Sequence, residues 1–549
     1  MIPFLIIIIL GFSVYANSLG GEFLWDDDWL VENNIHIRNF SQPLSIFTEN
    51  KWTDTARRFH FYRPLQIFSY MLDYSIWKFD VRGYHLTNIL LHTLAALLIY
   101  FLINLLYRDP LLASLASIFF VVHPIHTEAV AYISGRADPL AAVFILLALI
   151  SYIKSIQPGS KRLYLLALLS YTAALFSRES ALIFPLILLL YHYTFGKEIR
   201  AKKLLPIAVI TLFYILCRYT VSKDLLPTYP ESSVTLLHRL PGFFAAITEY
   251  TRLLFLPFGL HMEYGNKLFK IVDFKAASGI VITTCLLVYI FKHRRSKGVA
   301  FFSVSWFFIT LIPHTNIYPI RAYMAEHWLY LPSVGFFLLL AKGFSYLCGK
   351  KGFKIPVLLL SALLVFFYSY LTIRQNAYWQ NAVNFYKNTL QYAPDSALLH
   401  YNLANEYRAM GNKKEAVNLY EKALELDPDN AESYNNLGTI YFDLNRKDEA
   451  IACYKRAIKI NPDFSYPYCN LANTYSAIGR IEDAIYTYKR AIDIEPGNAL
   501  AHANLSILYY KQKHYEDAYK HYYIAKELGY KIDDGFLKLL ESYRRKTPL

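Results

Sequence analysis

Residues 431–464 read AESYNNLGTIYFDLNRKDEAIACYKRAIKINPDF, and the neighbouring stretches on both sides repeat that pattern at the same spacing. Pro394, Pro428, Pro462 and Pro496 lie 34 residues apart, as do Ala416, Ala450, Ala484 and Ala518. Leu403, Leu437, Leu471 and Leu505 keep the same interval, and so do Tyr420, Tyr454, Tyr488 and Tyr522. Small residues at fixed helix-crossing positions, with Pro closing each second helix, describe a helix pair that cannot bury its apolar face alone. Such pairs stack, and a stack of four forms a superhelix with a concave surface.

A 34-residue period of this composition is the tetratricopeptide pattern. It predicts repeats at 397–430, 431–464, 465–498 and 499–532, with 533–549 as a capping helix. Residues 374–396 form the junction, in which Arg374–Pro394 resembles a half-repeat continuing the preceding apolar segment. Asn402, Asn436, Asn470 and Asn504 hold the sixth position of every repeat. A carboxamide donates and accepts at once, so this ladder is a candidate acceptor-peptide-binding row. The alternative is a consensus Asn that bonds between helices.

Working toward the N-terminus, the composition changes. Over the whole chain of 549 residues 55% are hydrophobic and only 18% charged, which is a membrane composition. From Ala397 onward Lys/Arg and Asp/Glu balance at 21 each, so the entire excess of +14 lies in residues 1–396. A neutral repeat array argues against a nucleic-acid partner. Cys217, Cys285, Cys348, Cys453 and Cys469 have no zinc-type spacing. The fold class is therefore all-α: a polytopic helical bundle in residues 1–373, then an α-solenoid.

Eleven apolar stretches approach spanning length, at about 2–19, 84–106, 111–133, 138–156, 161–177, 179–196, 203–220, 276–292, 299–313, 329–348 and 355–373. The first is read as a retained span, because it lacks a basic leading region. The segment 239–258 is apolar but carries Arg239, Glu249 and Arg252. Basic connections at Lys154–Arg162, Lys197–Lys203, Lys292–Lys297 and Lys350–Lys354 all fall on the cytoplasmic side if there are eleven crossings and 239–258 is not one. That count places the repeats on the non-cytoplasmic side.

Four polar clusters then emerge together on the outer face. They are Trp25-Asp26-Asp27-Asp28; His123-Pro124-Ile125-His126-Thr127-Glu128 with Arg136 and Asp138; Arg178-Glu179; and His314 with Glu326-His327. Ionisable groups at membrane depth are costly and mark sites or pathways, so their convergence predicts one shared polar site.

At these residues the chain resembles the transmembrane and tetratricopeptide-repeat O-mannosyltransferases, relatives of the protein O-mannosyltransferases in the C-type superfamily of membrane glycosyltransferases. The resemblance rests on Trp25-Asp26-Asp27, the His123-to-Asp138 stretch, Arg178-Glu179, the Ala325-to-Ser333 stretch and the trailing repeats. It implies a polyprenyl-phosphate sugar donor, mannose in the characterised members, and Ser/Thr hydroxyls of extracytoplasmic proteins as acceptors. It implies a plasma membrane location in a prokaryote or the endoplasmic reticulum in a eukaryote, and a catalytic carboxylate in the Asp26-Asp27 pair. Two positions depart from the family: His327 replaces the usual Arg, and Arg178 the usual Lys.

The residues fit that chemistry. Direct displacement at a lipid phosphate needs a base for the acceptor proton and cations for the departing phosphate. Asp27, slightly ahead of Asp26, is the expected base. Arg178, Arg136 and His327 are the expected phosphate partners, with His123, His126, Glu128, Asp138, Glu179 and Glu326 in support. No cofactor is expected. A divalent metal on His123, His126, Glu128 and Asp26 is disfavoured because Pro124 breaks the helical register. The first loop, roughly 20–83, with Arg57, Arg58, Arg63, Trp52, Phe59, Phe61, Tyr62 and Trp77, reads chiefly as an interfacial segment. Two other classes stay open: transfer to a lipid or glycan, and a non-catalytic membrane-anchored scaffold.

Overall fold

The computed structural model describes all residues except 41–44, 49–61, 157–159, 199–200, 223–234, 266, 317–321, 532–533 and 547–549. The described residues are helical, with no strand among them. Arg57, Arg58, Trp52, Phe59 and Phe61 lie outside the described residues, so the interfacial reading of the first loop is not addressed there. The chain divides into two compact units, Met1–Ala393 and Pro394–Leu549.

In the first unit each of the eleven apolar stretches carries a helix. Six helices are long and apolar enough to cross a bilayer on their own: Ile2–Gly20, Val81–Tyr107, Ile133–Ser155, Ala201–Val221, Phe274–His293 and Lys354–Tyr378. Glu179–Phe195, Val299–His314 and Ser333–Cys348 are apolar but shorter. The sequence thus locates the helices, while eleven crossings are not established by their lengths. The segment predicted at 239–258 forms the Leu236–Phe255 helix, whose Glu249 pairs with Arg252 at 2.8 Å and Lys275 at 2.6 Å. It packs tightly on Phe274–His293: a Cβ on Gly279 would fall 1.8 Å from the Phe244 carbonyl, so only glycine fits.

The stretch predicted as one span at 111–133 is broken. Asp109 caps the Pro110–Val122 helix by accepting from the Leu112 N–H at 3.0 Å. Pro124 forces His123 into extended backbone and ends that helix. A 3-10 turn and the short Thr127–Ala131 helix follow, bent by 54°. The bend delivers Glu128 and the 132–138 segment to the polar end of the unit.

The second unit contains the helix pairs Ala397–Ala409/Lys413–Leu426, Ala431–Asp443/Lys447–Ile460, Ser465–Ala477/Ile481–Ile494 and Ala499–Lys511/Tyr515–Glu527, followed by Asp534–Lys546. Ala416, Ala450, Ala484 and Ala518 are fully buried at the crossings, and Tyr420, Tyr454, Tyr488 and Tyr522 fill the core beside them. The Ala382–Leu390 helix belongs to the first unit, and Asn381 caps it by accepting from the Asn384 N–H at 2.9 Å.

Candidate active site

The acidic loop after the first helix is fixed by one of its own carboxylates. Asp27 is buried; its Oδ2 accepts from the Leu24 N–H at 3.0 Å and its Oδ1 from the Ser134 N–H at 2.8 Å and from the Ser134 hydroxyl. Burial outweighs these donors and pushes the carboxyl up to about 7. Asp26 is half-buried, and its backbone N–H donates to the Tyr132 hydroxyl at 3.0 Å. The partner residues Tyr132 and Ser134 lie on the segment that opens the Ala137–Ser155 helix. Gly135 lets that segment pass the Thr127–Ala131 helix, since a Cβ there would meet the Glu128 carbonyl at 2.4 Å.

The same segment reaches the second cluster. Asp138 pairs with Arg178, which is nearly buried, and the neighbouring Glu179 accepts two bonds from Arg63, at 2.9 and 2.6 Å. Arg218 of the Ala201–Ser222 helix lies within electrostatic reach of Glu179. Among the described residues the Nε groups of Arg178 and Arg218 are buried without a hydrogen-bond partner. His327 Nδ1 faces Glu128 Oε1 at 2.5 Å, and the His327 N–H donates to Oε2 at 2.9 Å. His314 stacks on Trp328, centroids 5.1 Å apart. Residues 132–138 therefore bridge a half-exposed carboxylate and a cluster of guanidinium and imidazole groups.

Known proteins are similar to this chain. The tetratricopeptide repeat family models match residues 431–464 and 453–486, and a further tetratricopeptide model matches 404–445 and 473–513. The protein O-mannosyl-transferase F38B6.6 of Caenorhabditis elegans is 28% identical over 415 residues, covering 73% of this chain and 59% of its own. Human protein O-mannosyl-transferase TMTC1 is 28% identical over 472 residues, with 73% and 52% covered, and human TMTC3 is 25% identical over 448, with 73% and 48% covered. The chain is similar to these protein O-mannosyl-transferases over 73% of its length. It spans about half the length of the curated relatives it matches. A crystal structure of MamA covers 27% of the chain and 86% of its own at 28% identity, with a TM-score of 0.26.

Of the predicted site residues, several stand apart from the cluster. Arg136 is a correction to the phosphate set. It is fully buried and committed to Asp73 at 2.5 Å, Asn88 at 2.7 Å, Ser69 at 3.2 Å and the Tyr84 carbonyl at 2.9 Å, with its guanidinium over Tyr70. His123 is likewise structural: its Nε2 meets the Leu254 carbonyl at 3.2 Å and its Nδ1 accepts from the Ile125 N–H. His126 sits in an aromatic cage of Phe120, Tyr330 and Phe337. Among the described residues no three His, Cys, Asp or Glu side chains are placed to hold a metal. Glu326 is buried and accepts from the His261 N–H at 2.5 Å and the Tyr264 hydroxyl at 2.6 Å; burial and the Glu128 carboxylate hold it well above the ordinary range.

The Asn ladder is used within the array. Asn436 donates to Asn405 at 3.1 Å, Asn470 to Asn435 at 2.9 Å and Asn504 to Asn473 at 3.1 Å, each on the preceding repeat. Tyr420 and Tyr488 donate to the same Asn405 and Asn473 oxygens. Asn402 has intermediate burial in the first repeat. The geometry is that of the inter-helix alternative. Arg63, which the sequence placed in the interfacial first loop, and Arg218 were not among the expected phosphate partners; Arg218 is signalled as the one charged side chain between Leu204 and Thr220.

Proposed function

We propose that the first unit transfers a sugar, mannose by its relatives' names, from a polyprenyl-phosphate donor to Ser/Thr hydroxyls of a protein on the non-cytoplasmic side. Asp26 is the base, because it is the accessible member of the pair while the oxygens of Asp27 are occupied in holding the loop. Arg178, Arg63, Arg218 and His327 receive the donor phosphate. The observation that carries the reading is the pair of buried guanidinium Nε groups without partners, one of them on Arg178, which pairs with Asp138 of the segment that holds the acidic loop. A buried donor left unsatisfied costs about 1–3 kcal/mol, a cost that a phosphate oxygen removes.

In the displacement, the acceptor oxygen attacks the anomeric carbon as its proton passes to Asp26. The bond to the phosphate oxygen breaks, and the arginine cluster takes up the charge of the released lipid phosphate. The repeats hold the protein acceptor, a role general to this repeat class, while their Asn ladder stiffens the array. The test is purified protein in lipid nanodiscs with polyprenyl-phosphate mannose and an extracytoplasmic protein, read by intact mass. A hexose added to the acceptor, lost in Asp26→Asn, is the expected result. Mannose appearing only on lipid or glycan, or no transfer at all, overturns it.

A further inference from the structure

Trp25 sits immediately before Asp26 with φ of +51°. A bulky L residue in the left-handed region is strained and persists only where its surroundings over-determine it. Those surroundings come from the far end of the first unit. The Trp25 ring packs against Phe385 at 6.0 Å and Tyr386 at 5.9 Å. Phe385 packs on Trp379 at 4.9 Å, and Trp379 on Tyr132 at 5.4 Å, whose hydroxyl receives the Asp26 N–H. Trp379, Phe385 and Tyr386 are all buried.

The backbone around this aromatic chain is tied to the same segment. The Glu22 N–H donates to the Gln380 carbonyl at 3.0 Å, Asn376 donates to the Val14 carbonyl at 2.9 Å, and Gln380 to the Asn17 carbonyl at 3.0 Å. On its other side the elbow grips the loop that holds Glu326: Gln375 donates to the Leu260 carbonyl at 3.0 Å, and Tyr392 stacks on His261 at 4.7 Å with rings 4° from parallel. One stretch of chain, 375–392, thus touches both sides of the polar end.

We infer that the elbow between the Lys354–Tyr378 and Ala382–Leu390 helices is the positioning device of the acidic loop, with Trp379 and Phe385 setting the place of the Asp26 carboxylate through Tyr132 and Trp25. None of these rings touches substrate in this scheme; they act through Asp26, and the inference rests on Asp26 being the base. Phe385→Ala removes the ring behind Trp25 and lets the strained residue relax, so Asp26 loses its aim while the arginine cluster is untouched.

The test uses the full-length chain in nanodiscs. Phe385→Ala is expected to lower turnover about 10- to 100-fold with donor affinity unchanged, and Trp379→Phe, which keeps a ring in the stack, to retain most of it. In the Asp26→Asn background Phe385→Ala is expected to add nothing. Multiplying losses in that double variant, or turnover at the parent level in Phe385→Ala, overturn the positioning role. An activity-independent measurement guards against misfolding and against failure of the base assignment. The amides of Leu24, Asp26 and Asp27 should exchange about tenfold faster in Phe385→Ala, while those of the Val81–Tyr107 helix stay at their parent rates. Unchanged exchange in the acidic loop overturns the inference, and acceleration across the whole unit does so by showing general unfolding. If Asp26→Asn keeps full turnover, the proposed base is wrong, and the exchange result alone decides whether the elbow holds the loop.

Discussion

Adjacent carboxylates take different roles when one is sealed and the other is not. Asp27 is buried with three donors on its two oxygens, whereas Asp26 is half-buried and held by its backbone. Asp26→Asn is expected to lower turnover about 10²–10⁴-fold with donor binding kept, measured as initial rate and donor affinity. Asp27→Asn has a different signature, in stability. Its carboxyl stands at about 7 in the folded protein against an ordinary 3.8, so between those values the folded state keeps a proton that the unfolded chain has released. The stabilisation it gives is complete below about pH 4 and is lost as the pH rises through 7. The melting temperature of the parent minus that of Asp27→Asn should therefore fall between pH 5 and 8; a constant or rising difference refutes a buried, proton-retaining Asp27. Arg178→Ala leaves Asp138 buried without its partner and removes one phosphate donor, so donor affinity and turnover should drop together. A loss confined to turnover would show that Arg178 does not meet the donor in its ground state.

At the scale of elements, periodicity made the repeats legible down to single positions, because Ala and Tyr at each crossing have only one place to go. The helices of the first unit were legible from apolar runs, but their breaks and uses were not. The bend after Val122 required reading Pro124 as the end of the preceding helix and not only as an obstacle to metal binding. Arg136 and Arg178 look alike in sequence, each a basic residue at a helix end beside an acid. Only packing separates the one enclosed by Asp73, Asn88 and Tyr70 from the one with an unpartnered Nε. Trp379 was invisible as a site residue because its effect passes through another ring. In the array, the Asn ladder is expected to show itself in stability: Asn436→Ala and Asn504→Ala each remove a bond to the preceding repeat, worth about 1 kcal/mol. Two repeats apart, the losses should add. Hydrogen exchange of the repeat helices in the full chain should speed up about fivefold near each substitution; rates at the parent level would show that the bonds carry no stability and return the ladder to the acceptor.

For the whole molecule, the open quantity is the side of the membrane on which each segment lies. Six helices are long and apolar enough to cross, and the shorter apolar helices decide the parity of everything after them. The basic connections give a consistent answer only with eleven crossings and the Leu236–Phe255 helix kept out of the count, which its Glu249, Arg252 and Lys275 ion pairs favour, since paired charges sit more cheaply at an interface than in hydrocarbon. Under that parity the 292–297 connection is cytoplasmic and the repeats are not. Ser296 and Asp429 are exposed positions in the two regions, suited to single introduced cysteines in a background lacking the five native ones. With a membrane-impermeant maleimide on intact cells or sealed right-side-out vesicles, Asp429→Cys should label at once and Ser296→Cys only after permeabilisation. Labelling of both from outside would leave an even number of crossings between residues 296 and 429, so that one of the helices Val299–His314, Ser333–Cys348 and Lys354–Tyr378 does not cross. The reverse pattern, with Ser296→Cys alone accessible, would make Leu236–Phe255 a crossing helix and place the repeats in the cytoplasm, where an extracytoplasmic acceptor could not reach them.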